Sequence, residues 1–218
     1  MLDMTVTMIQ EITKSKYRIW IDGEVAFVLY KGDLRRYKIR CDESIDESVY
    51  REIMGQLLVK RARQRVLHLL VHRDMTVHQV RDKLVAGEYP EAVIGDAIAY
   101  AASFGYLGDE GYVQKYYETY REVKSIKRMQ MDLISKGIDR DTIAHVFAAM
   151  QEAYADEEDA ELLQIRKVLH KRGYSDDAEC TYEERRKHFA FLLRKGFSAS
   201  KIKVCLGKTT WDEGEEFT

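Results

Sequence analysis

Two periods of apolar residues divide the chain. Between residues 17 and 40, Tyr17, Ile19 and Ile21 alternate with Arg18, Trp20 and Asp22, the two-residue period of a strand. Asp22-Gly23 then precedes "EVAFVLY", and Asp-Gly between two such runs predicts a hairpin, because both turn positions need positive φ. A third strand is expected at Arg36–Cys41. From about Ser44 the period becomes helical. Asp46 or Ser48 starts a helix through "VYREIMGQLLVKRARQRVLHLLVHR", and Thr76 caps "VHQVRDKLVAG". Pro90 suits the first turn of "EAVIGDAIAYAASFG", and Asp109 caps "EGYVQKYYETYREV". Ser125, Asp139, Asp156, Thr181 and Ser198 precede the remaining helical runs. Gly87, Gly137, Gly173 and Gly196 fall where helix ends need a left-handed residue.

The stretch "FGYLGDEGYVQKYYETY" stops one helix and starts another with almost no loop. A repeat accounts for it. When Tyr89, Ile138 and Phe197 are aligned, the fifth position before them holds Leu84, Leu133 and Leu192, and the fourth holds Val85, Ile134 and Leu193. Five positions after them stand Ile94, Ile143 and Ile202; eight after, Ala97, Val146 and Cys205; nine after, Ile98, Phe147 and Leu206. Every column is apolar, and the offsets place one helix face inward. The anchors are spaced by 49 and 59 residues, the longer step falling around "GYSDDAECTY". One unit is therefore helix, helix, turn, helix, and such units must lean on neighbours to bury their apolar faces. The expected division is a β-containing segment at 1–45, helical repeats at 46–107, 108–155 and 156–207, and an acidic, mobile tail at 208–218. Leu84, Tyr89, Ile94, Leu133, Ile138, Ile143, Leu192, Phe197 and Ile202 form the expected repeat core.

Composition fits a helical protein with a charged surface: 45% hydrophobic, 33% charged and one proline in 218 residues. A formal charge of −2 gives no overall attraction to nucleic acid or anionic membrane. No stretch is long and apolar enough for a membrane span, and the N-terminus lacks a secretory pattern. Cys41, Cys180 and Cys205 match neither a disulfide frame nor a metal spacing, so a reduced cytoplasmic setting is expected.

Candidate chemistry is sparse. His68 and His72 share a helix face at metal-ligand spacing, but no Glu follows His68 in the HExxH manner and no Cys is near. The acidic run at 156–161 lacks the glycine and oxygen spacing of a calcium loop. Tyr112, Tyr116 and Tyr120 form a stripe suited to packing between units or to stacking on bases. No phosphate loop, nucleophile elbow or dinucleotide fingerprint is present, so nothing supports an enzyme and neither metal nor cofactor is expected. Basic residues remain, and they occur in every unit. Of these, Arg61, Arg65, Arg73, Lys127, Arg128, Lys136, Arg186 and Lys195 lie near repeat-equivalent helices and are the candidate partner contacts. Ordinary solvated helix faces remain the competing reading.

Several stretches resemble the RecX family of regulatory proteins. "RVLHLLVHRDMTVHQVRDKL" is similar to that family's first helix pair, with Thr76 and Val77 at the usual Ser-x start and Val80 at a usual Leu. "FGYLGDEGYV" is similar to its "GYLDDERFA" joint through Leu107, Asp109 and Tyr112, with Gly108 and Val113 departing from it. "LISKGIDRDTI" and "LLRKGFSASKI" match its recurrent "L..KGI....I" segment. The resemblance covers residues 17–207 and implies a mainly α fold. Tandem three-helix repeats would form an elongated curved stack, preceded by a small N-terminal β-hairpin or three-stranded element. It further implies a monomeric, non-enzymatic modulator that binds the groove of the RecA–single-strand DNA filament and inhibits its ATPase, strand exchange and growth. Single-strand or duplex DNA is expected to bind weakly. A helical nucleic-acid-binding module acting without RecA is the alternative.

Overall fold

The structure, a computed structural model, describes residues 4–154, 159–174 and 181–207. Two compact units divide the chain, Met1–Gly108 and Asp109–Thr218. The expected cap Asp156, the centre of the loop at 175–180 and the tail at 208–218 lie outside the described residues.

The first unit opens with a four-stranded antiparallel sheet of order β3-β2-β1-β4. Its strands are β1 (Met4–Thr13), β2 (Lys16–Ile21), β3 (Glu24–Tyr30) and the short β4 (Ser44–Ile45). The hairpin at Asp22-Gly23 forms with φ of 50° and 86°, the left-handed pair that a tight two-residue turn requires. Strand β1, not foreseen from the sequence, pairs with β2 along most of its length and with β4 at Met4 and Thr5.

The strand expected at Arg36–Cys41 does not form. Lys31–Arg36 is helix α1 instead, because the Asp33 carboxylate accepts the Tyr30 backbone N–H at 2.8 Å and nucleates a helical turn. The turn ends where the Ile39 N–H donates to the Leu34 carbonyl at 2.9 Å, across Lys38 at φ 53°.

A long helical run follows: α2 (Glu47–Glu52), a π-helical turn at Ile53–Leu58, then α3 (Val59–His72). Helices α4 (Val77–Val85) and α5 (Glu91–Ser103) complete the unit. Ile19, Phe27 and Leu29 of the sheet share one apolar core with Ile53, Val66, Leu84 and Ile94 of the helices. Two ion pairs reinforce it: Arg61 grips Asp33 with its two terminal nitrogens at 2.6 and 2.9 Å, and Arg18 grips Glu88 at 2.5 and 2.7 Å. The β element is therefore welded to the first helices.

The second unit holds two apolar clusters. The first joins α6 (Asp109–Tyr120), α7 (Ile126–Ser135) and α8 (Arg140–Ala153) around Val113, Met129, Leu133, Ile143 and Phe147. The second joins α9 (Ala160–Lys171), α10 (Tyr182–Arg194) and α11 (Ala199–Cys205) around Ile165, Leu192, Phe197 and Ile202. Asp109 is the first helical residue of α6 rather than the residue before it, while Leu107 is buried. Helix α9 is capped by Asp159, whose carboxylate accepts the Glu161 and Leu162 amides.

One turn geometry is shared by the three anchors, and also closes the helices before Ile39, Tyr106 and Tyr174. The Tyr89, Ile138 and Phe197 amides donate to the carbonyls of Leu84, Leu133 and Leu192 at 3.2, 3.3 and 3.2 Å. The residue before each anchor is left-handed: Glu88 (φ 58°), Gly137 (φ 84°) and Gly196 (φ 86°). Gly87 therefore does not play the part expected of it. Glu88 takes that backbone at a steric cost, and its carboxylate is the group that holds Arg18. The second helix of each pair begins right after the anchor, capped at Pro90, Asp139 and Ser198. The first helices start from Thr76, Ser125 and Thr181, each hydroxyl accepting an amide three residues on.

Leu84, Leu133 and Leu192 are fully buried, and Ile94, Ile143 and Ile202 nearly so. Val85, Ile134 and Leu193, one position further on, are 54%, 40% and 41% exposed, so that apolar column faces outward.

Candidate functional site

The basic residues singled out from the sequence separate into different environments. Arg61 is half-buried, its charge spent on Asp33 and its guanidinium 4.7 Å from the Tyr30 ring centre. Burial pushes the Asp33 carboxyl up, but the Arg61 hydrogen bonds and the Tyr30 amide outweigh it and hold it below the usual carboxylate range. Arg65 and Arg73, in the same unit, are exposed. In the second unit Lys136 lies half-buried with its ammonium 5.9 Å from the Tyr112 ring centre, and Arg186 is exposed on α10. Lys127, Arg128 and Lys195 come together.

Their meeting point is a cleft of about 390 Å³ lined by Val123, Lys124, Ser125, Arg128, Val168, Arg194, Lys195 and Phe197. It forms where the start of α7 meets the turn between α10 and α11. Ser125 locks the two together. Its hydroxyl donates to the Lys195 carbonyl at 2.9 Å and accepts the Arg128 amide at 3.3 Å. Gly196 is obligatory there: a Cβ would stand 2.9 Å from the Ser125 Oγ and 3.3 Å from the Lys127 Cβ, and its φ is 86°. Lys127 thus borders the cleft.

Four cations line this cleft and no carboxylate does. Asp132, close by, partly balances two of them. Its carboxylate accepts Lys124 Nζ at 2.8 Å, the Tyr116 hydroxyl at 2.9 Å and Arg128 Nε at 3.1 Å. The Lys124 hydrogen bond is the main reason that the Asp132 carboxyl is held below its ordinary range, and the same bond raises Lys124. Lys124 also sits 4.1 Å from the Tyr120 ring centre, so the tyrosine stripe of α6 serves as a cation seat. Among the described residues, no acidic side chain pairs with Lys127, Arg194 or Lys195. Lys195 instead lies 5.3 Å from the Phe191 ring centre, with the Arg172 guanidinium 4.0 Å from the same ring. An N-terminal helix end adds partial positive charge, since the first α7 amides have no intrahelical acceptor. The arrangement suits an anion held by several point charges at once.

Lys124 and Arg194 were not among the residues singled out from the sequence. The signal for both is the basic run in which each stands, Lys124 with Lys127 and Arg128, and Arg194 with Lys195. His68 and His72 stack edge to face with ring centres 4.9 Å apart, and among the described residues no third His, Cys, Asp or Glu joins them. Among the described residues, no helix is long and apolar enough to cross a membrane.

Comparison with known proteins gives a consistent result. The first three-helix domain of RecX matches residues 62–100, and the third matches residues 159–206. The regulatory protein RecX of Bacillus velezensis is 30% identical over 210 residues, covering 95% of this chain and 77% of that one. That of Caldanaerobacter subterraneus subsp. tengcongensis is 27% identical over 208 residues, covering 94% and 100%. A crystal structure of regulatory protein RecX superposes with a TM-score of 0.59 at 21% identity, covering 93% of this chain and 98% of that one. RecX from Lactobacillus salivarius gives 0.58 at 23%, covering 68% and 94%. The matched domains bracket the two turns at Glu88 and Gly196, and the relatives extend the match across the sheet and the middle helices: the chain belongs to the RecX family of regulatory proteins.

Proposed function

We propose that this protein regulates the RecA recombinase without being an enzyme, by binding the RecA–single-strand DNA filament. The expected outcome is inhibition of the filament's ATPase, strand exchange and growth. Membership of the RecX family across nearly the whole chain is the observation that carries this reading. The geometry supports it in two ways. Three helix pairs built around the matching anchors Tyr89, Ile138 and Phe197 would offer a repeating partner a repeating set of contacts, so weak interactions add by multivalency. The cation-lined cleft between α7 and α10 supplies a charged contact whose strength falls with salt. We further propose repeats at 46–107, 108–155 and 156–207, with Arg65, Arg73, Lys127, Arg128, Arg186 and Lys195 on the partner-facing surfaces.

Co-sedimentation with preformed RecA–single-strand DNA filaments at low salt tests the reading. The wild type is expected in the pellet, and a Lys127→Glu/Arg128→Glu/Lys195→Glu variant in the supernatant. A wild type that stays in the supernatant contradicts it. The second reading, a nucleic-acid module acting without RecA, is favoured by the same cleft. Equal binding to bare strand and to filament would support that reading instead.

A further inference from the structure

We propose that the acidic segment 208–218 of this same chain, which lies outside the described residues, docks in the cleft lined by Lys124, Arg128, Arg194 and Lys195 and closes it to outside anions. The inference rests on the filament-binding reading for its consequence and deepens it by supplying a regulator of that site. Four observations name the occupant. The first is charge. Residues 208–218, "KTTWDEGEEFT", hold four carboxylates, Asp212, Glu213, Glu215 and Glu216, against one lysine. The cleft has the opposite sign, with four cations and no lining carboxylate. Arg194 and Lys195 are both exposed and, among the described residues, neither has an acidic partner. The second is reach. Phe197 lines the cleft and α11 follows it, so Gly207 stands roughly 15 Å away at 1.5 Å of rise per residue. Glu213 and Glu216 follow Gly207 by six and nine residues, an extended span of roughly 20–30 Å. The third is direction. The Tyr174 hydroxyl donates to the carbonyl of the buried Leu206 at 3.1 Å, which fixes the point where the segment departs. Gly207 is left-handed at φ 79°, the backbone that ends a helix by turning the chain off its axis rather than letting it run on. The fourth is the apolar match. Trp211 and Phe217 flank the carboxylates, and the cleft offers the exposed Val123 and, beside it, the half-buried Phe191. Lys195 lies 5.3 Å from the Phe191 ring centre, so an incoming ring meets apolar and cationic neighbours together.

Tethering supplies the affinity. A segment joined by a short linker stands at roughly millimolar effective concentration, so exposed ion pairs that are weak one by one suffice to fill the cleft. The fold holds the seat in place. The buried Ser125 fixes the Lys195 carbonyl, while Asp132 balances Lys124 and Arg128 and leaves Arg194 and Lys195 for the carboxylates of the segment. An outside anion has to displace the segment before it meets these cations.

The test is fluorine NMR of the full chain labelled with fluorotryptophan, with neither RecA nor nucleic acid present. Trp20 and Trp211 are its two tryptophans, and Trp211→Phe assigns the resonance of the segment. A synthetic peptide of residues 208–218 gives the undocked position. The expected result at low salt is a Trp211 resonance displaced from the peptide position at every protein concentration. It should return to that position at about 1 M salt, where the Debye length is roughly 3 Å. Arg194→Glu/Lys195→Glu and the milder Arg194→Gln/Lys195→Gln should return it at low salt. Lys14→Glu/Lys31→Glu, on exposed residues of the first unit, should leave it displaced. Excess inorganic polyphosphate, the probe for an outside anion, should release it at matched ionic strength. The Trp20 resonance and melting curves check that each variant folds. A wild-type Trp211 resonance at the peptide position at low salt overturns the proposal, and so does a displaced one that ignores the cleft variants or the polyphosphate. A displacement that vanishes on dilution also overturns it, by seating the segment in a second copy. Because RecA is absent, a failure here leaves the filament reading standing, and a wild type that docks its segment but ignores filaments fails that reading alone.

Discussion

The Ser125 hydroxyl donates to the Lys195 carbonyl at 2.9 Å, joining residues seventy positions apart in the chain. The same oxygen caps α7 by accepting the Arg128 amide. One side chain therefore starts a helix of one three-helix cluster and closes a turn of the next.

Ser125→Ala removes both bonds and leaves a carbonyl and an amide without these partners in a part-buried setting. A loss of about 1–2 kcal/mol is expected in urea unfolding. Gly196→Ala is expected to cost at least as much, since its added carbon meets the Ser125 Oγ at a left-handed backbone. Equal stability of both variants with the wild type would show that the clasp contributes nothing.

The three turn leucines offer a comparison between copies. Leu84→Ala, Leu133→Ala and Leu192→Ala each remove a fully buried side chain and should each cost about 2–5 kcal/mol. Val85→Ala, Ile134→Ala and Leu193→Ala, on the outward column, should stay within about 1 kcal/mol. Thermal or chemical unfolding of the six variants checks this, and the reverse order would overturn the register.

Arg61 is occupied inside its own unit, so its loss should be read in stability. Arg61→Ala strands the Asp33 carboxylate and should cost about 1–3 kcal/mol. Arg65→Ala, on an exposed side chain of the same helix, should change stability by less than about 0.5 kcal/mol.

Asp132 gives a pH dependence. Its folded-state pKa is depressed, so its contribution is complete above the unfolded carboxylate range and is lost as pH falls through the lower folded value. Wild-type stability is therefore expected to decline as pH falls from about 4. Asp132→Asn should be less stable at neutral pH and should decline less steeply in that acid window. Parallel stability curves for the two would contradict the ion network.

How much was legible depended on the distance over which each feature is set. Helix starts are local: Thr76, Ser125, Asp139, Thr181 and Ser198 each cap the helix that follows them. The buried leucine column was legible because the apolar columns around Tyr89, Ile138 and Phe197 align in all three copies. Strand β1 was not, since Val6 is its one buried residue and its alternation is too weak to read. Helix α1 was missed because it is one short turn nucleated by Asp33 on the Tyr30 amide, with Tyr30 in place of a usual capping residue, and the Asp33 carboxylate is further held by Arg61, twenty-eight positions away. Glu88 hid the third left-handed position, its carboxylate being committed to β2. The cleft was half legible: Lys127, Arg128 and Lys195 were singled out for their charge, but only folding joins the starts and ends of helices seventy residues apart.

The DNA-dependent ATPase of RecA, measured on single-stranded DNA at low salt with increasing amounts of this protein, tests the regulatory role most directly. A graded fall in the rate with the wild type, reduced by Lys127→Glu/Arg128→Glu/Lys195→Glu, is the predicted result. An ATPase rate that stays constant at a large excess of the wild type would contradict it.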